Sequence, residues 1–137
     1  MKKYNLIVVI DKNKENVLMC KREKPPYQGK YNFVGGKVEN GEDKIVAAYR
    51  ELNEETGITN EDIKLNELIT LQYYNNDTEL EVFAGDLQKD VNLIEEVNKL
   101  EWVSLKENFF DINKFAGKGN IGLIIEEMNF NIRKVKK

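Results

Sequence analysis

GKVENGEDKIVAAYRELNEETGI, residues 36–58, decides how this chain is read. From Asp43 to Thr56 the spacing is helical: Ile45, Ala48, Tyr49 and Leu52 share one stripe at i, i+3, i+4 and i+7, while Glu51, Glu54 and Glu55 occupy a roughly opposite arc. Gly57 suits the C-cap, because glycine takes the left-handed conformation at little cost. The stretch therefore predicts a helix with an apolar back and an acidic front. Its end, RELNEETG (50–57), sets three glutamates beside one arginine, although like charges at helical neighbour spacing repel. A divalent cation turns that repulsion into attraction, and all-oxygen ligation suits magnesium or manganese rather than zinc. A glutamate-rich face taken alone is more commonly solvated surface, so the surrounding sequence has to decide.

Outward from the helix, Tyr4–Ile10 and Val17–Lys21 are rich in apolar and β-branched residues, and DKNKEN between them reads as a hairpin turn. KPPYQGKYN (24–32) holds both prolines and a glycine and reads as an ordered loop. Beyond the helix, Ile63–Tyr74 and Glu79–Leu87 read as two strands joined by NND. In the second, Leu80, Val82 and Ala84 alternate with Glu79, Glu81 and Phe83, the period of a half-buried antiparallel strand. A short strand over Leu100–Ser104 contains Trp102, and Ile121, Ile124, Ile125 and Met128 predict a closing helix from Asn120 to about Phe130. The tail RKVKK reads as a solvated, frayed end.

Composition narrows the chemistry. At 137 residues, with 41% hydrophobic and 33% charged, the chain fits one domain, 1–137, with a core of its own. The net charge is −3 and the 21 basic residues are dispersed, which argues against a duplex nucleic-acid partner. Cys20 is the only cysteine, so no intrachain disulfide or CxxC zinc site exists, and a reducing, cytoplasmic setting is expected. The apolar run Leu6–Ile10 is far too short to span a bilayer, so no membrane partner is expected. Histidine is absent altogether, which removes the commonest general base and transition-metal ligand. Acid–base or metal chemistry falls to carboxylates, Lys, Tyr, Cys or backbone groups.

Read whole, residues 36–58 satisfy Gly, five residues, Glu, seven residues, Arg-Glu, apolar, any, Glu-Glu, any, Gly, apolar, through Gly36, Glu42, Arg50, Glu51, Leu52, Glu54, Glu55, Gly57 and Ile58. At this chain's own residue frequencies, chance produces that pattern on the order of once in a few million such sequences, so coincidence is set aside. It resembles the box of the Nudix hydrolases, which cleave nucleoside diphosphates linked to another moiety. The resemblance implies an α/β (α+β) Nudix fold, a mixed curved sheet sandwiched between helices. It also implies Mg²⁺, or Mn²⁺, held by Glu51, Glu54 and Glu55, with Arg50 orienting the cluster, Glu42 assisting and Gly35 offering its carbonyl. Which carboxylate acts as base differs among members. A further ligand often lies before the late tryptophan strand; Glu96 is the candidate, then Glu95.

Upstream, GKYNFVGGKV (29–38) resembles the segment Gly-basic-aromatic-Asn-x-x-Gly-Gly-Lys-Val of the MutT-like members that hydrolyse oxidised purine nucleoside triphosphates. There the asparagine touches the base, which implies Asn32 as a purine contact and Tyr27 as a stacking partner; a strand-end asparagine satisfying local backbone is the competing reading. Arg22, Lys21 and Lys37 could meet phosphates, with an ion pair to a box glutamate the alternative for Lys37. Val34 stands where proline is frequent, and no tryptophan-proline-aspartate-aspartate stretch follows. The expected activity is Mg²⁺-dependent hydrolysis of a nucleoside triphosphate to monophosphate and pyrophosphate, with oxidised purines such as 8-oxo-dGTP as candidates, by a monomer or homodimer. The alternatives are ADP-ribose, a nucleotide sugar, a dinucleoside polyphosphate or capped RNA as substrate, or a non-catalytic nucleotide sensor.

Overall fold

The computed structural model describes the backbone of residues 1–135 and side chains through Asn129; the expectation for the tail RKVKK lies outside the described side chains. Strands β1 (Lys2–Ile10), β2 (Asn16–Lys21), β3 (Tyr31–Phe33), β4 (Asn66–Tyr73), β5 (Thr78–Asp86) and β6 (Lys99–Ser104) form one sheet. Helix α1 (Lys44–Thr56) lies between β3 and β4 in sequence, and α2 (Asn120–Val135) closes the chain. The main path runs β3-β2-β1-β5-β4, with β6 also paired to β2.

The run LIVVI in β1 is continuous because both faces of the strand are covered. Ile7 and Val9 enter a core with Leu18, Ala48, Leu52 and Phe83 under α1, while Val8 and Ile10 enter a second core with Met19, Phe33, Ile121 and Ile124 under α2. One helix on each face of a mixed sheet is the expected sandwich. Leu52 is fully buried, and burial of a leucine side chain stabilises by about 1.5–3 kcal/mol.

Local chemistry fixes the ends of α1. Asp43 has extended backbone, and its Oδ1 accepts from the N–H groups of Ile45 at 3.0 Å and Val46 at 3.3 Å. Gly57 ends the helix at φ +80°, donating to the Asn53 carbonyl.

Two expectations are corrected. β5 is a central strand, parallel to β1 on one side and antiparallel to β4 on the other, and Glu81, Val82 and Phe83 are all buried. Alternation predicted a half-buried antiparallel strand because it does not report the second neighbour. The strand expected from Ile63 begins at Asn66, with Ile63 instead making an isolated bridge to Leu87.

What positions the site is a split in the sheet. β1 and β2 pair only at Ile10 and Val17, then diverge. Residues 34–38 run along the β1 edge so exposed, through Ile7 N–H to the Val34 carbonyl, Asn5 N–H to the Gly36 carbonyl and Val38 N–H to the Lys3 carbonyl. The two glycines thus lie against β1, beside α1.

Candidate active site

Arg50 is the hub of the acidic face. Its Nε and Nη2 grip Glu42 at 2.7 and 2.9 Å, its Nη1 donates to Glu51 at 3.0 Å and Glu54 at 3.2 Å, and Nη2 also donates to the Lys37 carbonyl at 3.1 Å. The planar guanidinium thereby offsets the repulsion among three carboxylates, and its fork makes the Glu42 contact bidentate. Hydrogen bonding to Arg50 lowers the pKa of Glu42, whereas burial raises that of Glu51 against the pull of the same arginine.

Glu55 is separate from that network. It is half-buried, and burial pushes its carboxyl up to about 7. The negative charges of Glu51 and Glu96 act in the same direction, while the Gly35 N–H and Arg22 oppose it. Glu55 and Glu96 line one pocket of about 210 Å³ with Val97, Asn98 and Leu100. The loop that carries Glu96 is pinned from both sides: Ile94 N–H donates to the Thr56 carbonyl at the end of α1, and Leu100 N–H donates to Glu95 at 2.7 Å. Glu95 is thus occupied in holding the loop, and Glu96 faces Glu55.

The glycines answer to close approach. A Cβ on Gly35, at φ +149°, would stand 2.1 Å from the Asn5 carbonyl oxygen, and one on Gly36 would stand 2.3 Å from Glu51 Oε2.

The charges of Arg22, Glu51 and Glu96 and the Gly35 N–H all act on Glu55, while Arg50 holds Glu42, Glu51 and Glu54 in an adjoining network. As the side chains stand, no three acidic or thiol groups among the described residues converge closely enough to hold an ion, and Glu51 and Glu54 are paired with Arg50. The donor set still fits a hard divalent cation: every candidate ligand is an oxygen, and negative charges already crowd Glu55.

The nucleotide-binding candidates divide. Asn32 is the cross-strand partner of Cys20 on the α1 face, and its Oδ1 accepts from Phe33 N–H at 2.8 Å, a local backbone role. Tyr27, at φ +65°, packs against the α2-side core near Tyr73, which accepts a hydrogen bond from the Asn120 carboxamide. Arg22 Nε donates to the Pro26 carbonyl at 2.8 Å and orders that loop. The Lys37 side chain is exposed, and its carbonyl is what joins the site. Sequence reasoning passed over two buried polar residues, Asn5 and Glu81. The signal was present, since period two places Asn5 on the face of Ile7 and Val9, and Glu81 on that of Phe83.

In a mixed sheet between two helices, a glutamate-rich helix is set against a glycine pair, and the match of a NUDIX domain family model to this fold makes the chain a hydrolase of phosphoric anhydride bonds. A family model described as NUDIX domain matches residues 1–121, and the chain belongs to the Nudix family, whose members act on nucleoside diphosphate derivatives and generally use divalent metals. Solved structures agree on the fold. A C. elegans Ap4A hydrolase in a binary complex matches with TM-score 0.76 at 20% identity, covering 96% of this chain and 98% of that one. The NUDIX domain of Shewanella oneidensis NrtR, complexed with ADP ribose, matches with TM-score 0.73 at 14% identity, covering 95% and 87%. A MutT from work on Aliivibrio salmonicida and Vibrio cholerae matches with TM-score 0.70 at 21% identity, covering 94% and 98%.

Proposed function

We propose that this chain hydrolyses a nucleoside triphosphate to the monophosphate and pyrophosphate with Mg²⁺, and that an oxidised purine triphosphate is the first substrate to try. The observation that carries the reading is Glu55: a half-buried carboxyl beside Glu96, Glu51 and Gly35, with Arg22 facing it. Glu51, Glu54, Glu55 and Glu96, with the Gly35 carbonyl, would hold the metal, and Mn²⁺ fits the same donors. Bound there, the metal neutralises phosphate oxygens and lowers the pKa of water.

The chain's own groups do the rest. Arg50 keeps Glu42, Glu51 and Glu54 together despite their repulsion. Arg22 offers a guanidinium to phosphate at the mouth of the site. Without metal, burial holds the Glu55 carboxyl at about 7, so a cation binding there would displace its proton near neutral pH. Tyr27, grouped with Tyr73 and Asn120, offers an aromatic surface to a base. The buried Cys20 fits a reducing, cytoplasmic setting.

The test is a panel of ordinary and oxidised nucleoside triphosphates, ADP-ribose, nucleotide sugars and a dinucleoside polyphosphate, each with Mg²⁺ or EDTA and resolved by chromatography. Mg²⁺-dependent release of monophosphate and pyrophosphate from a triphosphate is the expected result. Cleavage confined to ADP-ribose or a dinucleoside polyphosphate would replace the substrate, and binding without turnover would make the chain a sensor.

A further inference from the structure

Asn5 is 1% exposed and Glu81 4% exposed, and they are paired positions on the parallel strands β1 and β5. Both side chains face α1, Asn5 in the row of Ile7 and Val9 and Glu81 in that of Phe83. Asn5 is half satisfied: its Oδ1 accepts from the Gly36 N–H at 2.9 Å, while its Nδ2 has no partner. Glu81 Oε1 has none either. An orphaned buried donor thus lies across the sheet from an orphaned buried acceptor. Two apolar residues would be cheaper to bury at these positions, so a polar pair calls for a reason.

The reason lies in what Asn5 holds. Its backbone N–H and its side chain both bind Gly36, on the carbonyl at 2.8 Å and on the N–H at 2.9 Å, and its carbonyl leaves Gly35 no room for a Cβ. Gly36 in turn lies against the Glu51 carboxylate. We propose that Asn5 is a positioning residue whose carboxamide, linked from Nδ2 to Glu81 Oε1 through one water, clamps Gly35–Gly36 to β1 and thereby sets where the Gly35 backbone and Glu51 stand. This rests on the metal-site reading above and assigns Asn5 and Glu81 no contact with substrate. A purely structural Asn5 would stabilise the fold and leave metal affinity alone, so metal affinity separates the two.

Mn²⁺ titrations followed by electron paramagnetic resonance, without substrate, compare wild type, Asn5→Leu and Val9→Ala, alongside urea unfolding of each. Val9 is a fully buried neighbour on the same face that makes none of the β1 hydrogen bonds to residues 34–38, which fall to Lys3, Asn5 and Ile7. Asn5→Leu is expected to weaken Mn²⁺ about tenfold, equivalent to ~1.4 kcal/mol, and to lower kcat more than it raises KM; Val9→Ala loses stability with Mn²⁺ affinity unchanged. Unchanged Mn²⁺ affinity in Asn5→Leu overturns the clamp alone. Failure of wild type to bind Mn²⁺ overturns the metal-site reading and the clamp with it. Should Asn5→Leu not fold, Glu81→Gln, which keeps an acceptor oxygen, is expected to retain the affinity and Glu81→Leu to lose it, and equal affinities in those two overturn the clamp.

Discussion

Replacing Glu55 with glutamine should stabilise the metal-free protein at alkaline pH while abolishing turnover. Burial and the charges of Glu51 and Glu96 raise the Glu55 carboxyl from 4.5 to about 7. One pKa unit corresponds to about 1.36 kcal/mol, so the rise from 4.5 to about 7 amounts to about 3.4 kcal/mol, and partial exposure of the carboxyl brings the expected cost of ionising it in the fold to roughly 2–3 kcal/mol. The sign follows from proton binding. Because the folded pKa lies above the unfolded one, the folded state retains the proton more tightly, and its contribution is fully present below pH 4.5 and lost as pH rises through about 7. Glutamine has no such titration. In EDTA, wild type and Glu55→Gln should therefore be close in stability at pH 4.5–5, and the variant ahead by roughly 2–3 kcal/mol at pH 8. Urea unfolding followed by tryptophan fluorescence reads this directly. Glu81 also has a raised value from burial, but it titrates in both proteins and cancels in the comparison. Added Mg²⁺ should reverse the order at pH 8 by stabilising only the wild type. Parallel stability–pH curves for the two proteins would refute the assignment of a strained carboxylate at Glu55.

Two further outcomes follow from the same geometry. In Gly36→Ala the new methyl stands 2.3 Å from Glu51 Oε2, so the glutamate or the loop must move; activity should fall at least tenfold on an order-of-magnitude scale while the melting temperature drops by only a few degrees. An unchanged kcat/KM would remove Gly36 from the site. Burial pushes the Cys20 thiol up to about 11 with Glu55 adding to the shift, and its Sγ donates to the Phe33 carbonyl. It should resist alkylation at pH 8 in native protein and react on unfolding in urea; rapid native labelling, followed by mass spectrometry, would contradict the packing of β2 against α1.

Much of this molecule is written locally. Asp43 and Gly57 end α1 through bonds within three or four residues, so a single stretch of sequence suffices to place the helix. Glu51, Glu54 and Glu55 share its acidic side because 3.6 residues make a turn, and the spacing from Gly36 to Ile58 carried the family. Which carboxylates meet was not local. Arg50 gathers Glu42, Glu51 and Glu54, and Glu55 instead meets Glu96, because the loop before β6 is tied to the end of α1 through Ile94. Period two told which residues of a strand share a face, but not which strand lies beside it or what covers that face. Only the sheet order makes β5 central, buries Glu81 opposite Asn5, and sets Asn32 and Tyr27 on opposite faces. Periodicity and capping act between near neighbours and are legible in one dimension; strand order and loop anchoring join residues far apart in the chain, and those contacts come into being only when the whole core closes.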